Sequence, residues 1–201
     1  MFTGIIQGTG SILDIEPKQS IHTLKIDLPN TQGLETGASV SVDGVCLTAV
    51  SIQDTVVNFD VITETLTRTT LGQLSVGQQV NIERSLKFGD EIGGHLLSGH
   101  IMATGLIHSK TQHGEGFDFT VLIPTDIRKY VMEKGYIAVD GISLTVGEIQ
   151  DGAFSLHIIP ETLRLTTLLA KEVGDAVNLE IDSTTQTIVA TVERVLEEKR
   201  S

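Results

Sequence analysis

An internal duplication constrains this chain more than any other feature of its sequence. Four blocks of residues recur in the same order in the two halves: Asp43–Thr48 as Asp140–Thr145, Glu64–Leu71 as Glu161–Leu168, Val76–Glu83 as Val173–Glu180, and Gly4–Gly10 as Gly99–Gly105. The first three blocks recur 97 positions later and the last one 95 positions later (43 to 140 and 4 to 99). Such ordered repetition is not chance, so the chain is two copies of one module joined head to tail.

Each copy has the pattern of a small β-barrel. Apolar residues make up 40% of the chain, and Val, Ile and Thr, whose branched side chains fit a pleated sheet, recur in short runs behind a Gly-rich opening strand. The predicted strands include His22–Asp27, Ser39–Val42, Leu47–Ile52 and Val56–Val61, then Phe117–Ile123, Ala138–Val139, Leu144–Ile149 and Ala153–Ile159. Turn signals such as Asp43-Gly44 and Asp140-Gly141 separate them. We predict an all-β fold of two tandem six-stranded Greek-key β-barrels plus a C-terminal α-helix, divided into residues 1–96, 97–185 and 186–201.

Helical segments are predicted at three places. Thr125–Lys134 has an N-cap residue at its start and Gly135 just beyond its end, and Pro160 suits the first position of a helical turn. Gln186–Arg200 carries one apolar stripe, formed by Ile188, Val189, Val192, Val195 and Leu196. This helix either folds back on its own barrel or forms a short coiled seam between subunits, where β-branched residues favour three strands over two.

Charge and composition exclude several classes of partner. The chain has 26 acidic and 14 basic residues, a formal net charge of −12, and would repel phosphate backbones and anionic lipid. It lacks an apolar run long enough to span a bilayer, and its first residues lack the features of a secretory signal. Cys46 is the single cysteine, which fits a reducing compartment. We expect a soluble, cytoplasmic protein that binds neither nucleic acid nor membranes.

Three segments resemble the α-subunit family of riboflavin synthases: Met1–Ile6, Lys87–Ile101 and Val139–Val146. The resemblance runs from residue 1 to the C-terminal helix, and there is a weaker one to lumazine protein, a non-catalytic relative. It implies two barrels that each bind one 6,7-dimethyl-8-ribityllumazine, and a homotrimer held by the C-terminal helices. The active site would lie between the N-barrel of one subunit and the C-barrel of its neighbour. The implied reaction is a dismutation to riboflavin and 5-amino-6-ribitylaminouracil, without metal or organic cofactor, and a complex with lumazine synthase is left open.

The resemblance also implies ligand contacts in each barrel. In the first barrel they fall on Gly4, Ile5, Ile6, Cys46, Leu47, Thr48, Asp60, Val61, Ile62, Thr63, Glu64 and Thr65. In the second they fall on Gly99, His100, Ile101, Ser143, Leu144, Thr145, His157, Ile158, Ile159, Pro160, Glu161 and Thr162. Lys134 is expected to reach a ligand across the subunit interface, and Phe2 to cap the pocket as an apolar lid. Glu64 and Glu161 either accept hydrogen bonds from ribityl hydroxyls or are solvated carboxylates of a first helical turn.

The chemistry needs a base for the C7 methyl group of one lumazine and a nucleophile or hydroxyl that adds to the other. His100 is the predicted proton-transfer residue, because imidazole titrates near neutrality and this position has no histidine in the first copy. Ser143 and Thr145 present hydroxyls on one face of a strand, and Cys46 is either a ligand-facing thiol or a small buried hydrophobe. Ser39, Asp140 and Asp182 resemble supporting residues, with Asp182 expected to orient His100 or a hydroxyl of the adjacent subunit. His95 would face away from His100 on an extended strand, so a metal shared by the two is not expected.

Differences between the copies are expected to make one substrate the donor and the other the acceptor. The mismatched pairs are Ile5 with His100, Cys46 with Ser143, and Thr63 with Pro160, whereas Thr48/Thr145 and Thr65/Thr162 are shared. Two alternatives remain: the barrels hold lumazine or flavin without turnover, or they form a structural or oligosaccharide-binding module.

Overall fold

The first copy folds into a closed antiparallel barrel. In this computed structural model, which describes residues 1–199, its strands are β1 Gly8–Pro17, β2 Ile21–Asp27, β3 Ser39–Val42, β4 Val45–Gln53, β5 Val56–Ile62 and β6 Gln79–Arg84. They close in the order β1-β2-β5-β4-β3-β6. Alternate residues such as Leu24, Ile26, Val57 and Phe59 point inward and are fully buried, as the period of a strand requires.

The second copy repeats this order with one strand divided in two. Its strands are β7 Ala103–His113, β8 Gly116–Leu122, β9 Tyr136–Val139, β10 Ile142–Thr145, β11 Ile149–Gln150, β12 Ala153–Ile158 and β13 Ala176–Ile181. They form a sheet in the order β10-β9-β13-β7-β8-β12-β11, whose two end strands correspond to the two halves of β4. The single predicted strand Leu144–Ile149 is wrong here, because the backbone bulges at Gly147, whose N–H bonds to the Ser155 oxygen. The same position in β4 is also irregular, between Ala49 and Ser51.

Short helices follow β5 and β12. These are α1 Thr63–Arg68 and α2 Pro160–Leu165, and Pro160 opens α2 as predicted. The predicted helix over Thr125–Lys134 is wrong: only Arg128–Tyr130 is helical, as a 3-10 turn. The reason is competition for backbone groups, since Lys134 donates its N–H to the Val146 oxygen and has a φ of +64°, so the chain is drawn into pairing with the second barrel.

The C-terminal helix α3 spans Ser183–Glu198 and begins three residues before the predicted start. Arg200 and Ser201, the predicted end, lie outside the described residues. Of the two alternatives for the apolar stripe, burial against its own barrel is not observed, because four of its members are 41% to 58% exposed: Ile188, Val192, Val195 and Leu196. The helix instead contacts the Arg128–Tyr130 turn, where Lys129 forms an ion pair with Glu193. Within residues 1–199, no helix is long and apolar enough to span a membrane.

A buried polar network joins the two barrels around an approximate two-fold axis. Asp43 accepts a hydrogen bond from the Asn81 backbone, and Asp140 accepts one from the Asn178 backbone, both of 2.7 Å. Each asparagine side chain then donates to the backbone oxygen of the other copy's aspartate. Lys171 forms an ion pair with Asp140 at 3.1 Å and is the asymmetric member of the network. The equivalent turns of the two copies therefore face each other, and these cross-bonds hold the copies together.

Candidate functional site

Each copy places its first segment over the pocket of the other copy. The backbone oxygen of Gly4 accepts a 2.9 Å hydrogen bond from the Ser143 N–H, and the oxygen of Gly99 accepts one of the same length from the Cys46 N–H. Gly4 has a φ of +74°, and a Cβ added there would lie 2.5 Å from the Ser143 Cβ, so only glycine fits this approach. Gly99 makes the equivalent contact with Cys46: its φ is +79°, and an added Cβ would lie 2.5 Å from the Cys46 Cβ.

The contacts within the chain group these segments differently from the predicted ligand sets. Gly4 lies against Ser143 of the second barrel, and Gly99 lies against Cys46 of the first. The cores show the same exchange, since Ile6 is buried in the second core and Ile101 packs against the first. The expected opening strands are also absent from these segments, because the chain must cross to the other barrel before β1 begins at Gly8 and β7 at Ala103.

A buried glutamate in the last strand of the first barrel holds the first crossed segment. Glu83 accepts hydrogen bonds from the backbone and hydroxyl of Thr3 at 2.6 and 2.7 Å, and from the Gly4 N–H at 2.9 Å. Burial raises the pKa of Glu83, and the hydrogen bonds from Thr3 and Gly4 oppose that rise. The carboxylate is thus a fixed anchor for the segment that lies over Ser143.

Glu180, the matching residue of the second copy, holds the other crossed segment. It accepts bonds from the backbone and hydroxyl of Ser98, both at 2.7 Å, and from the Gly99 N–H at 3.0 Å. Sequence reasoning did not assign a role to either glutamate, although both end a repeated block. The signal was present in that repetition, but only burial shows that these carboxylates point inward.

An open cavity of about 280 Å³ lies in the second barrel. Its wall is lined by Lys134, Ser143, Leu144, Thr145, Val146, Gly147, Leu156, His157, Ile158, Ile159 and Thr162. Buried Val146 and Leu156 supply an apolar floor, while the hydroxyls and amine stand at its edge. Such a cavity suits a flat heterocycle with polar substituents. Lys134, expected to act across the interface, lies in the wall of its own chain's pocket.

His95 is the residue at this pocket that sequence reasoning missed. Its Nδ1 lies 2.7 Å from the Ser143 hydroxyl, its ring stacks on Tyr136 at 5.1 Å between centroids, and it is 7% exposed. Burial lowers the pKa of His95, while the charge of Asp182 acts in the opposite direction. A neutral imidazole bonded to a hydroxyl is a base positioned to activate that hydroxyl. Gly94 makes room for this pair, since a Cβ there would lie 2.6 Å from the Ser143 Cβ.

The equivalent surface of the first barrel carries a different set of groups. Cys46 is partly buried and its neighbour Thr48 is exposed, directly opposite Ser39 on β3. The exposed His100 follows Gly99, which rests on Cys46, and donates its backbone N–H to the Ser98 hydroxyl. Cys46 and the Gly99–His100 segment thus lie together at the first barrel, whereas the hydroxyl–imidazole pair of Ser143 and His95 lies at the second.

The two segments that run from a strand into a short helix alternate in burial. Val61 and Ile158 point into the cores, whereas Ile62 and Ile159 are 54% and 63% exposed. Asp60 accepts a hydrogen bond from Thr23, and Thr63 donates to a backbone oxygen. Thr65 and Thr162 accept bonds through their backbone oxygens from the threonines four residues later. The exposed members of these segments therefore lie at the surface, and Ile159 lines the cavity of the second barrel.

The helical glutamates are engaged on the surface. Glu64 forms an ion pair with Arg68 at 3.2 Å, and Glu161 forms one with Arg164 at 2.6 Å. The hydrogen bond from Arg164 lowers the pKa of Glu161. Both carboxylates are occupied by a neighbour on their own helix, which agrees with the surface alternative.

Three supporting residues have contacts within the chain that the sequence did not indicate. Phe2, the expected lid, is 1% exposed and packs with Leu97, with which its backbone also pairs. Asp182 caps α3 by accepting from the Thr185 backbone and hydroxyl at 2.7 and 2.8 Å, rather than contacting His100. Asp140 lies in the inter-barrel network. Among residues 1–199, no cluster of three or more His, Cys, Asp or Glu is arranged to hold a metal ion.

Comparison with known proteins gives a consistent result. The lumazine binding domain model matches residues 3–85 and again residues 98–182. The chain is 50% identical to riboflavin synthase from Escherichia coli K12 over 200 residues, covering 98% of this chain and 93% of the relative. It is 44% identical to riboflavin synthase from Chlamydia pneumoniae, covering 98% and 97%. Among solved structures it resembles LumP complexed with riboflavin, with a TM-score of 0.84 and 30% identity over 91% of this chain and all of that one.

Proposed function

The chain belongs to the riboflavin synthase family, and from this membership we propose how its two pockets share one reaction. The activity is a transferase activity in which two molecules of 6,7-dimethyl-8-ribityllumazine yield riboflavin and 5-amino-6-ribitylaminouracil. The observation that carries the proposal is the reciprocal crossing of Gly4–Ile6 and Gly99–Ile101. It builds two pockets of one design from two copies, as a reaction between two identical substrates requires.

The pockets supply complementary chemistry. In the second pocket, the neutral imidazole of His95 accepts the proton of Ser143, whose oxygen adds to the ring of one lumazine. At the first barrel, His100, which follows the Gly99 that lies on Cys46, takes a proton from the C7 methyl group of the other lumazine. The difference between the copies thus gives the substrates different roles, and general base assistance of this kind contributes about 10²–10⁴ in rate.

The two pockets work as a pair across a subunit interface in this proposal. Within one chain the two copies are joined through the Asp43 and Asp140 turns by hydrogen bonds from Asn81 and Asn178, so the proposal places the shared space between subunits. The cavity in the second barrel is open and small for a complete ligand site. The exposed stripe of α3 supports a homotrimer, with the N-barrel of one subunit facing the C-barrel of the next.

Turnover of lumazine tests the proposal directly. Purified chain mixed with 6,7-dimethyl-8-ribityllumazine should consume it and form one riboflavin for every two substrates, followed by absorbance. Light scattering should give the mass of three chains. A spectral shift without riboflavin would indicate the carrier function suggested by the LumP complex with 6,7-dimethyl-8-(1'-D-ribityl) lumazine, to which this chain is 28% identical.

Location and assembly partner extend the same proposal. The single cysteine, Cys46, is free, which supports a reducing cytoplasmic location. A lumazine synthase would supply the substrate, so it is the partner to test by co-sedimentation. Fractionation of cells with an antibody to the chain would test the location.

A further inference from the structure

Three aligned residues form a hydrogen-bonded chain at the rim of each barrel, and their chemistry is inverted between the copies. In the first copy, the Lys18 amine donates to the Thr23 hydroxyl at 2.9 Å, and that hydroxyl donates to Asp60 at 2.6 Å. In the second copy the same three positions are occupied by His113, Asp118 and His157. The carboxylate has moved from the end of the chain to its centre.

The second chain is built around Asp118. One carboxylate oxygen lies 2.7 Å from His157 Nδ1, and the other lies 3.1 Å from His113 Nδ1. His157 and Asp118 are direct cross-strand partners on β12 and β8, as Asp60 and Thr23 are on β5 and β2. The hydrogen bond from His157 is the main cause of the lowered pKa of Asp118, ahead of that from His113. The carboxylate therefore stays ionised as an acceptor for both rings.

His157 reaches the cavity through its other nitrogen. Because Asp118 holds Nδ1, the free atom of the ring is Nε2, and a Cβ added at Gly147 in the cavity wall would lie 3.4 Å from it. The equivalent of Gly147 in the first copy is Val50. The second copy thus combines an imidazole with the space that the imidazole needs.

We propose that Asp118 is a positioning residue, which fixes His157 so that Nε2 binds the hydroxylated ribityl chain at the mouth of the second pocket. This inference rests on the proposed function for the identity of the ligand. The apolar floor suits the ring system, and the exposed rim suits a polyol, which remains partly solvated. At the same place the first pocket offers the Asp60 carboxylate, so a ribityl hydroxyl meets an anion in one pocket and an imidazole in the other.

The tests are the Asp118→Asn variant and its controls. The amide donates as well as accepts, so it stops enforcing one tautomer of His157, and ¹H–¹⁵N spectra of ¹⁵N-histidine-labelled protein should show the Nδ1–H form losing population. We expect affinity for lumazine at one class of site, measured by fluorescence titration, to fall roughly 2- to 10-fold, the range of a single hydrogen bond. The KM should rise by a similar factor, with kcat changed less than about twofold.

His113→Gln is the matched control, because it removes the other partner of Asp118 and leaves the Asp118–His157 bond in place; affinity should stay within about twofold of wild type. The double variant Asp118→Thr with His157→Asp copies the first pair into the second barrel and should restore binding. Unchanged tautomers in Asp118→Asn, or changed tautomers with unchanged affinity, would overturn the inference, as would a loss confined to kcat. Failure of the wild type to form riboflavin would instead overturn the proposed function, since the binding comparison does not need turnover.

Discussion

Gly4–Ile6 and Gly99–Ile101, the two crossed segments, lead to a prediction about the two buried glutamates that hold them. Each glutamate should affect the barrel of the other copy rather than its own. Glu180 belongs to the second copy, yet it holds Gly99–Ile101 over Cys46 in the first barrel. We expect Glu180→Gln to damage the first pocket, and Glu83→Gln, its matched control, to damage the second. A carboxylate that served only its own barrel would give the opposite pattern.

The size of the effect follows from the hydrogen bonds of Glu180. The carboxylate accepts from the Ser98 backbone, the Ser98 hydroxyl and the Gly99 N–H. A glutamine keeps one oxygen but turns an NH₂ group toward a donor, so one charge-assisted bond is lost and a buried N–H is left unpaired. Hydrogen bonds to charged groups contribute about 1.5–3 kcal/mol and an unpaired buried group costs about 1–3 kcal/mol. We therefore expect unfolding free energy to fall by about 3 kcal/mol in each variant, measured by urea denaturation.

Cys46 supplies a specific readout for the first pocket, since it is the only cysteine and is partly buried. When Gly99 loosens, the thiol becomes more accessible, so its rate of reaction with a disulfide reagent under native conditions should rise about tenfold or more in Glu180→Gln. The rate should remain near wild type in Glu83→Gln. Equal rates in the two variants, or the larger increase in Glu83→Gln, would refute the crossed arrangement.

Three further predictions concern the pocket, the network and the helix. His95→Gln should lower kcat by about 10²-fold with little change in KM, and a variant with wild-type kcat would contradict this. Because burial lowers the pKa of His95, wild-type kcat should fall only below about pH 6.5, as that imidazole becomes protonated. Burial raises the pKa of Asp43, and the charge of Asp140 adds to the rise. The stabilising contribution of Asp43 is therefore complete below the unfolded pKa of about 3.9 and is lost as pH rises through the folded pKa. Denaturation from pH 4 to 9 should show that Asp43→Asn loses less stability than wild type over this range, and parallel curves for the two proteins would contradict this prediction. Deletion of residues 183–201 should give a monomer by light scattering, with folded barrels by circular dichroism but with turnover lost; a fully active monomer would exclude the intersubunit site.

Local signals made the barrels predictable. Strand β3 was predicted to the residue as Ser39–Val42. Such strands combine β-branched side chains with clear turn residues at both ends. Pro160 marked the start of α2 for an equally local reason. The failures were at Thr125–Lys134 and Gly147, where the backbone forms hydrogen bonds to residues distant in sequence, and composition within a short window does not report those partners.

The sequence by itself determined that two copies of one lumazine-binding module follow each other. Only the tertiary structure decided which pocket each motif joins. Gly4 and Gly99 begin matching segments, and Ser143 and Cys46 are matching contact positions. The sequence therefore fits pairing within a copy and pairing between copies equally well. The choice is made by where the chain crosses between the barrels and by the buried carboxylates that hold it there. That crossing also placed His95 on Ser143, which a strand-based interpretation of Lys87–Ile101 did not anticipate.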